Sequence, residues 1–573
     1  MSVQTMESQF QMVKIQLDIL EAKQSQHPMM IVSTGNFAER GTVTELYGKT
    51  YQSVWHNFLS YVKKNQLTSA RYFRIDILTE ERQISFEQLQ NLIRSVKRNN
   101  YGDFNFRIEG KQSYSFLMEE LAGNAILKPS KEHKVGRNLP NLSIDEQNYR
   151  GYIKRKYGKK NASVNLLKQS KIFLFKTKAF YFDQQQVFPI IDYGNGNRVR
   201  EITYSNVDRT TDIVIEKGAA YLNRQLTDSG QFIYGYFPCY DQSIKGYNSV
   251  RHFSSIYALA EAAAYLKDRG MYSSLKQSVL WGVQNLIVNK EGYTVVEEPL
   301  KNGAEYKLGA QATAILAIAK YIEVTGDPQF NAILQKLILV VKEKFITKDN
   351  RTIHVLDESL TIKEKFRIEY YDGEILFALL RAYGVFKEEK IMKICEDLMA
   401  QFIANDYQKY HDHWLSYAVN EFLRYKEKEA YYRFGLDNAL GNIRFIEKRD
   451  TAYPTMLELL VAASKMIDKL EVSGLKAKIF NQEEEFETVK NRINAVMKKR
   501  VLHELTTGVM FPEFAQFFKK PEMVSFGFFA RHDRFRMRID DAEHFLSGLI
   551  NYRLQVIKEE ERWLEQSGLS RYS

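Results

Sequence analysis

Six stretches in the C-terminal part of the chain open on polar and aromatic residues and then run straight into a small or apolar segment of helical length. They are Tyr247-Asn-Ser-Val-Arg-His252, Glu305-Tyr-Lys-Leu-Gly309, Glu369-Tyr-Tyr-Asp-Gly-Glu374, His411-Asp-His-Trp414, Arg449-Asp-Thr-Ala-Tyr453 and Arg538-Ile-Asp-Asp-Ala-Glu-His544. The segments that follow, such as Gly309-Ala-Gln-Ala-Thr-Ala-Ile-Leu-Ala317, are apolar on several faces, as expected of helices packed on all sides. Between them lie helices of another kind, with one apolar stripe (Ile391, Ile394, Cys395, Leu398, Met399, Phe402) and one Lys/Glu face. Apolar spacing and boundary signals predict helices near 209–226, 250–268, 272–288, 307–325, 328–345, 371–387, 389–405, 411–426, 428–446, 454–468, 476–500 and 538–557. Alternation of inner and outer helices, with all inner openings at one end, predicts an (α/α)6 toroid of six helical hairpins whose polar cleft lies where the openings converge. An elongated helical solenoid is the alternative.

The intervals between openings are unequal, so the repeat is one of structure, with insertions in loops. The 573-residue chain has only 10 prolines, against about 29 at average usage, which favours long uninterrupted helices. The expected fold class is therefore mainly α. Residues 1–205 read differently, as an α+β domain of unassigned role. β-rich runs at 71–78, 104–109 and 171–182 alternate there with helical stretches at 7–23, 51–65, 85–98 and 145–157. Residues 206–573 are expected to form the toroid.

Cys239 and Cys395 are too few for a disulfide framework. With no apolar leader and no 18-residue apolar run, the chain reads as cytoplasmic and without a membrane span. Net charge of +11, from 81 basic and 70 acidic residues, tilts toward anionic ligands. The basic run Tyr152–Lys160 is expected to be a solvated face, and no nucleic-acid partner is inferred. Phosphate-loop, nucleophile-elbow and dinucleotide motifs are absent, as are His/Cys metal-ligand spacings, so no cofactor and no metal are expected.

The alternating openings, with Gly235-Tyr-Phe237, Lys307-Leu-Gly309, Arg538-Ile-Asp540 and His544, resemble the six-hairpin sugar-active proteins. That group includes inverting glycoside hydrolases, unsaturated glucuronyl hydrolases and N-acylglucosamine 2-epimerases. The resemblance covers about 205–560, is architectural, and implies a glycan or sugar ligand more firmly than a reaction.

For hydrolysis of an anionic glycan two carboxyl groups must flank the bond. The openings offer many, of which Asp540, next to Arg538 and one turn from His544, and Glu374, expected to act as a base because the helix dipole lowers its pKa, are the favoured pair. An alternative for Arg538 and Asp540 is an ion pair that closes the ring. Epimerisation or isomerisation next to a carbonyl needs bases of near-neutral pKa, which His252, His413 and His544 could supply. Arg251, Arg538 and Asn248 are candidate substrate-binding groups, with Tyr236, Tyr247, Trp414 and Tyr453 as stacking surfaces. A third reading is a non-catalytic binding or accessory protein of cell-surface polysaccharide assembly.

Overall fold

The computed structural model describes residues 10–22, 28–65, 72–96, 102–110, 113–130, 142–160, 162–183 and 186–567. Residues 7–9 and 23 of the first expected helix, Arg71 of the first expected strand and residues 97–98 of the third helix lie outside them. The chain divides into two compact units. One comprises Met1–Ile202, Tyr236–Gln242 and Thr506–Met537, the other Thr203–Gly235, Ser243–Leu505 and Arg538–Ser573.

The first unit is built on an eight-stranded antiparallel sheet. Its strands are β1 (Met29–Gly35), β2 (Thr42–Tyr47), β3 (Tyr72–Ile84), β4 (Asn105–Glu109), β5 (Tyr114–Phe116), β6 (Lys171–Asp183), β7 (Gln186–Asp192) and β8 (Arg198–Arg200). The order is β8-β7-β6-β3-β1-β2, with β4 pairing β6 and β5. Strand periodicity separates the two faces of β3. Phe73, Ile75 and Ile77 enter an aromatic core with Phe10, Phe58 and Phe182, beneath α1 (Gln11–Ala22) and α2 (Tyr51–Lys64). Arg74 and Asp76, both fully buried, alternate with them and form a charged network with Glu119 and Arg198. The unit also contains α3 (Phe86–Ser95) and α4 (Glu146–Tyr157). The basic run is the solvated face expected at Lys154, Arg155, Lys159 and Lys160, but the Lys156 side chain turns inward and pairs to Glu120 at 2.9 Å and Glu45 at 3.4 Å.

The second unit is the toroid. Its helices, in chain order, are α5 (Val207–Arg224), α6 (Ser249–Leu266), α7 (Tyr272–Leu286), α8 (Leu308–Thr325), α9 (Asn331–Val340), α10 (Tyr370–Phe386), α11 (Glu389–Ala404), α12 (His413–Phe422), α13 (Glu429–Leu440), α14 (Pro454–Val472), α15 (Glu483–Gly508) and α16 (Ile539–Ser567). Each even-numbered helix packs on the next, and α16 packs back on α6, so the ring of six inner helices closes. That closure excludes the solenoid.

Burial follows the two textures. Inner α8 is buried without a break from Leu308 to Ala319, whereas outer α11 buries the single stripe Ile391, Met392, Cys395, Leu398, Met399 and Phe402. Inner N-termini are fixed by local caps: Asn248 accepts from the backbone N–H of Arg251, and Asp412 accepts from Trp414 and Leu415. A four-stranded sheet of Glu298–Pro299, Ala304–Lys307, Val355–Leu356 and Ile362–Glu364 fills the insertions before α8 and α10. Among the described residues no helix is long and apolar enough to cross a membrane.

Candidate functional site

Four inner helices bring titratable groups together at their N-terminal ends. His413 is the first residue of α12, Glu458 lies one turn into α14, Glu374 one turn into α10, and Glu543 and His544 lie in the first turns of α16. The His413 and His544 rings meet edge to face with centroids 5.2 Å apart. Glu458 sits beneath both: one oxygen is 2.9 Å from Nδ1 of His544 and 3.8 Å from Nε2 of His413, and the other accepts from the Tyr417 hydroxyl at 3.1 Å. Nε2 of His544 is 3.2 Å from Glu543.

The two imidazoles are pushed in opposite directions. Burial acts against the charge on His544, but Glu543 and Glu458 on either side of the ring outweigh it and raise the group to about 10. Burial lowers His413 to about 3, and its Nε2 has no hydrogen-bond partner. Burial pushes the Glu543 carboxyl up as well, so at neutral pH the proton stays within the Glu543–His544 pair, which faces a neutral imidazole across one gap, and neither histidine has the near-neutral pKa expected from sequence.

Glu374 corrects the sequence-based expectation. Burial first, then the nearby Asp412 and Glu543, push its carboxyl well above the usual range, so it is an acid and not a base. The helix N-terminus does favour charge there, but loss of solvent and two acidic neighbours outweigh it. One Glu374 oxygen lacks a partner, as do one oxygen of Asp540 and one of Glu543. Such orphaned buried atoms are rare in a finished core and suit a polar ligand with many hydroxyl groups.

Asp540 occupies the seam between the first and last inner helices. It receives Nε of Arg251 at 2.8 Å and a terminal nitrogen of Arg538 at 3.1 Å. Arg251 also donates to the Tyr234 hydroxyl, and Arg538 to Asp541.

No protein-family model matches the chain, and no curated protein matches it. Solved structures similar to it include a D-mannose isomerase, at 10% identity over 62% of this chain and 100% of that one, with a TM-score of 0.46. A cellobiose 2-epimerase from Bacillus thermoamylovorans B4167 is 12% identical over 52% of this chain and 88% of that one, with a TM-score of 0.41. A family 76 glycoside hydrolase from a bovine Bacteroides thetaiotaomicron strain is 10% identical over 86% and 97%, with a TM-score of 0.40. The likeness is one of fold alone.

Of the twelve residues singled out from sequence, the toroid brings His413, His544, Glu374, Trp414, Asp540, Arg251 and Arg538 to this end of the ring. Trp414 is not a stacking surface: it is buried among Phe377, Tyr417 and the two histidines. Tyr453 is 43% exposed and lies under the Arg449 guanidinium.

His252, Tyr247 and Asn248 are used within the framework. The Tyr247 hydroxyl accepts from the backbone of Phe232 and so donates to Nδ1 of His252, whose Nε2 then donates to the Ser278 carbonyl. Fully buried against Trp281, His252 is held neutral, its pKa lowered to about 3 by burial. Asn248 is the helix cap. Tyr236 belongs to the first unit, where it donates to Asp241 at 2.5 Å.

Two residues escaped the reading of the sequence. Glu543, adjacent to His544 in the chain, reaches Nε2 of that ring at 3.2 Å, a contact that helical spacing does not signal. Tyr370, 45% exposed with its ring 6.2 Å from that of His413, was masked by Tyr371, which turns inward. His413, Glu458 and His544 also place three ligand atoms within 4.8 Å of one another, a set that could hold a cation. A metal there would have to displace the proton that the two carboxyl groups keep on His544.

Proposed function

We propose that the toroid is a sugar epimerase or isomerase that moves a proton at the carbon beside a carbonyl, with His413 and His544 as the acid–base pair. One observation carries the reading: two imidazoles from different inner helices face each other at 5.2 Å, one held neutral and the other charged. Environments that push two like groups apart in pKa assign one the role of base and the other of acid.

On an open-chain sugar, neutral His413 takes the proton from the carbon next to the carbonyl. The electron pair moves into an enediol, and imidazolium His544 donates its proton to the carbonyl oxygen. For the isomer, His413 returns its proton to the former carbonyl carbon while His544 takes the proton of the neighbouring hydroxyl as the new carbonyl forms. For the epimer, His544 takes back the enediol proton and delivers it to the opposite face of the same carbon, and the proton left on His413 returns to His544 through solvent. Glu374, proton-bearing, donates to a substrate oxygen, while Arg251, Arg538 and the exposed faces of Tyr370 and Tyr453 hold the remaining hydroxyl groups and ring.

Hydrolysis is the second reading, and protonated Glu374 favours it, since a carboxylic acid must protonate the leaving oxygen.

Incubation with reducing mono- and disaccharides in deuterated water separates the two. The expected result is solvent deuterium at C1 or C2, retained after treatment with EDTA and lost in His413→Gln and His544→Gln. New reducing ends without carbon-bound deuterium would replace the proposal with hydrolysis.

A further inference from the structure

Behind the loop that carries Tyr453, the toroid holds a second pocket of about 370 Å³, lined by Ile446, Glu447, Lys448, Arg449, Asp450, Val496, Lys499, Arg500 and His503. We propose that this pocket binds a phosphoryl oxyanion, either inorganic phosphate or the phosphate of a small phosphomonoester.

Three observations support it. Four of the lining residues are cations and two are acids, and Glu447 is shared between Arg492 and, at 3.9 Å, Lys499. The Arg500 guanidinium is 3% exposed and spends its donors on the carbonyls of Arg449 at 3.0 Å, Thr451 at 2.5 Å and Tyr453 at 3.4 Å, and on Glu504 at 3.2 Å. Burial raises Glu504 to about 8, so this carboxyl does not balance the guanidinium at neutral pH. Finally, Nε of Arg449 is buried and has no partner.

Capping of the short helix Ile443–Lys448 accounts for Lys448 and for the bond from Arg500 to the Arg449 carbonyl. It does not account for the orphaned Nε of Arg449 or for the excess of positive charge in the lining. A phosphoryl group accepts from several N–H donors at once, which suits the Arg449 guanidinium beside the Lys448 and Lys499 ammonium groups better than chloride does.

The test is calorimetric titration of the full chain with inorganic phosphate, glucose 6-phosphate and glucose, at ionic strength matched with sodium chloride. Saturable binding of inorganic phosphate and of glucose 6-phosphate is expected, weakened about tenfold or more in Lys499→Glu, with inorganic phosphate bound equally well in the presence of excess glucose. Lys499 is 54% exposed in its side chain, so this variant should keep the thermal midpoint of the unliganded protein. Arg449→Lys, which retains the charge and loses the fork, serves as the second variant. Binding of glucose 6-phosphate alone would assign the pocket to phosphomonoesters. Absence of saturable binding, unchanged affinity in both variants, or an equal response to chloride would overturn the proposal.

Discussion

Glu458 has no exposed surface and touches three functional groups, Tyr417, His413 and His544. Its substitution is the sharpest probe of the acid–base pair. In Glu458→Gln one of the two carboxyl groups that keep His544 charged is gone, so its pKa should fall from about 10 toward the ordinary histidine range, a change visible by nitrogen-15 NMR of the ring. Turnover should drop about a hundredfold or more, the usual contribution of a positioned proton donor. Stability carries a matching signature. Because the folded pKa of His544 lies above the unfolded value, its contribution is fully present below about 6.5 and is lost as pH rises through about 10. Urea unfolding between pH 7 and pH 10 should show this decline in the parent and a shallower one in Glu458→Gln. His413 works the other way: with its pKa lowered to about 3, it stabilises above about 6.5, and that contribution fades as the pH falls.

At the level of the element, Gly309 shows why inner helices cannot be treated as generic helices. Glycine inside a helix normally costs up to about 1 kcal/mol relative to alanine, so Gly→Ala at a free position stabilises. Here a Cβ on residue 309 would come within 2.4 Å of the Tyr371 ring and 2.6 Å of the unpartnered oxygen of Glu374. Gly309→Ala is therefore expected to lower stability by about 1–3 kcal/mol, read as a fall in thermal midpoint, and to reduce turnover by displacing Glu374. The inner and outer helices themselves were legible from sequence because their signal is periodic: all-round burial in α8 and a single stripe in α11 both leave a trace along the chain. Side-chain geometry was less legible. His252 and His413 stand at equivalent openings in sequence, yet Tyr247 and Ser278 consume both nitrogens of His252, a fact set by residues from a different helix and the preceding loop. The acid character of Glu374 was hidden for the same reason, since it arises from burial and then from Asp412 and Glu543, which other parts of the ring bring close. The buried pairing of Lys156 also depends on Glu45, far away along the chain.

At the scale of the whole toroid, what separates a closed ring from an open stack of hairpins is a seam joining its first and last helices. Two sets of contacts form that seam. At the cleft end Arg251 of α6 holds Asp540 of α16 at 2.8 Å. Further along α16, Arg553 grips both oxygens of Asp212 in α5 at 2.8 and 2.9 Å, and Tyr552 donates to Asp208 at 2.6 Å. In an open repeat array, loss of an end contact frays only the end, because each repeat depends on its neighbours alone. In a ring, α5 and α16 are each other's neighbours although they lie at opposite ends of the unit's sequence, so loosening the seam should expose both at once. Arg553→Ala is expected to cost about 1 kcal/mol, since the pair is bidentate but Asp212 is partly solvated. Hydrogen exchange should then accelerate together in α5 and α16 while α10 and α12, on the far side of the ring, keep their protection. Faster exchange confined to α16 would mean that the unit behaves as an open stack. Because Asp540 sits in the same seam, the variant should also weaken the hold on Arg251 and Arg538 and raise KM more than it lowers kcat, which links closure of the ring to the geometry of the site.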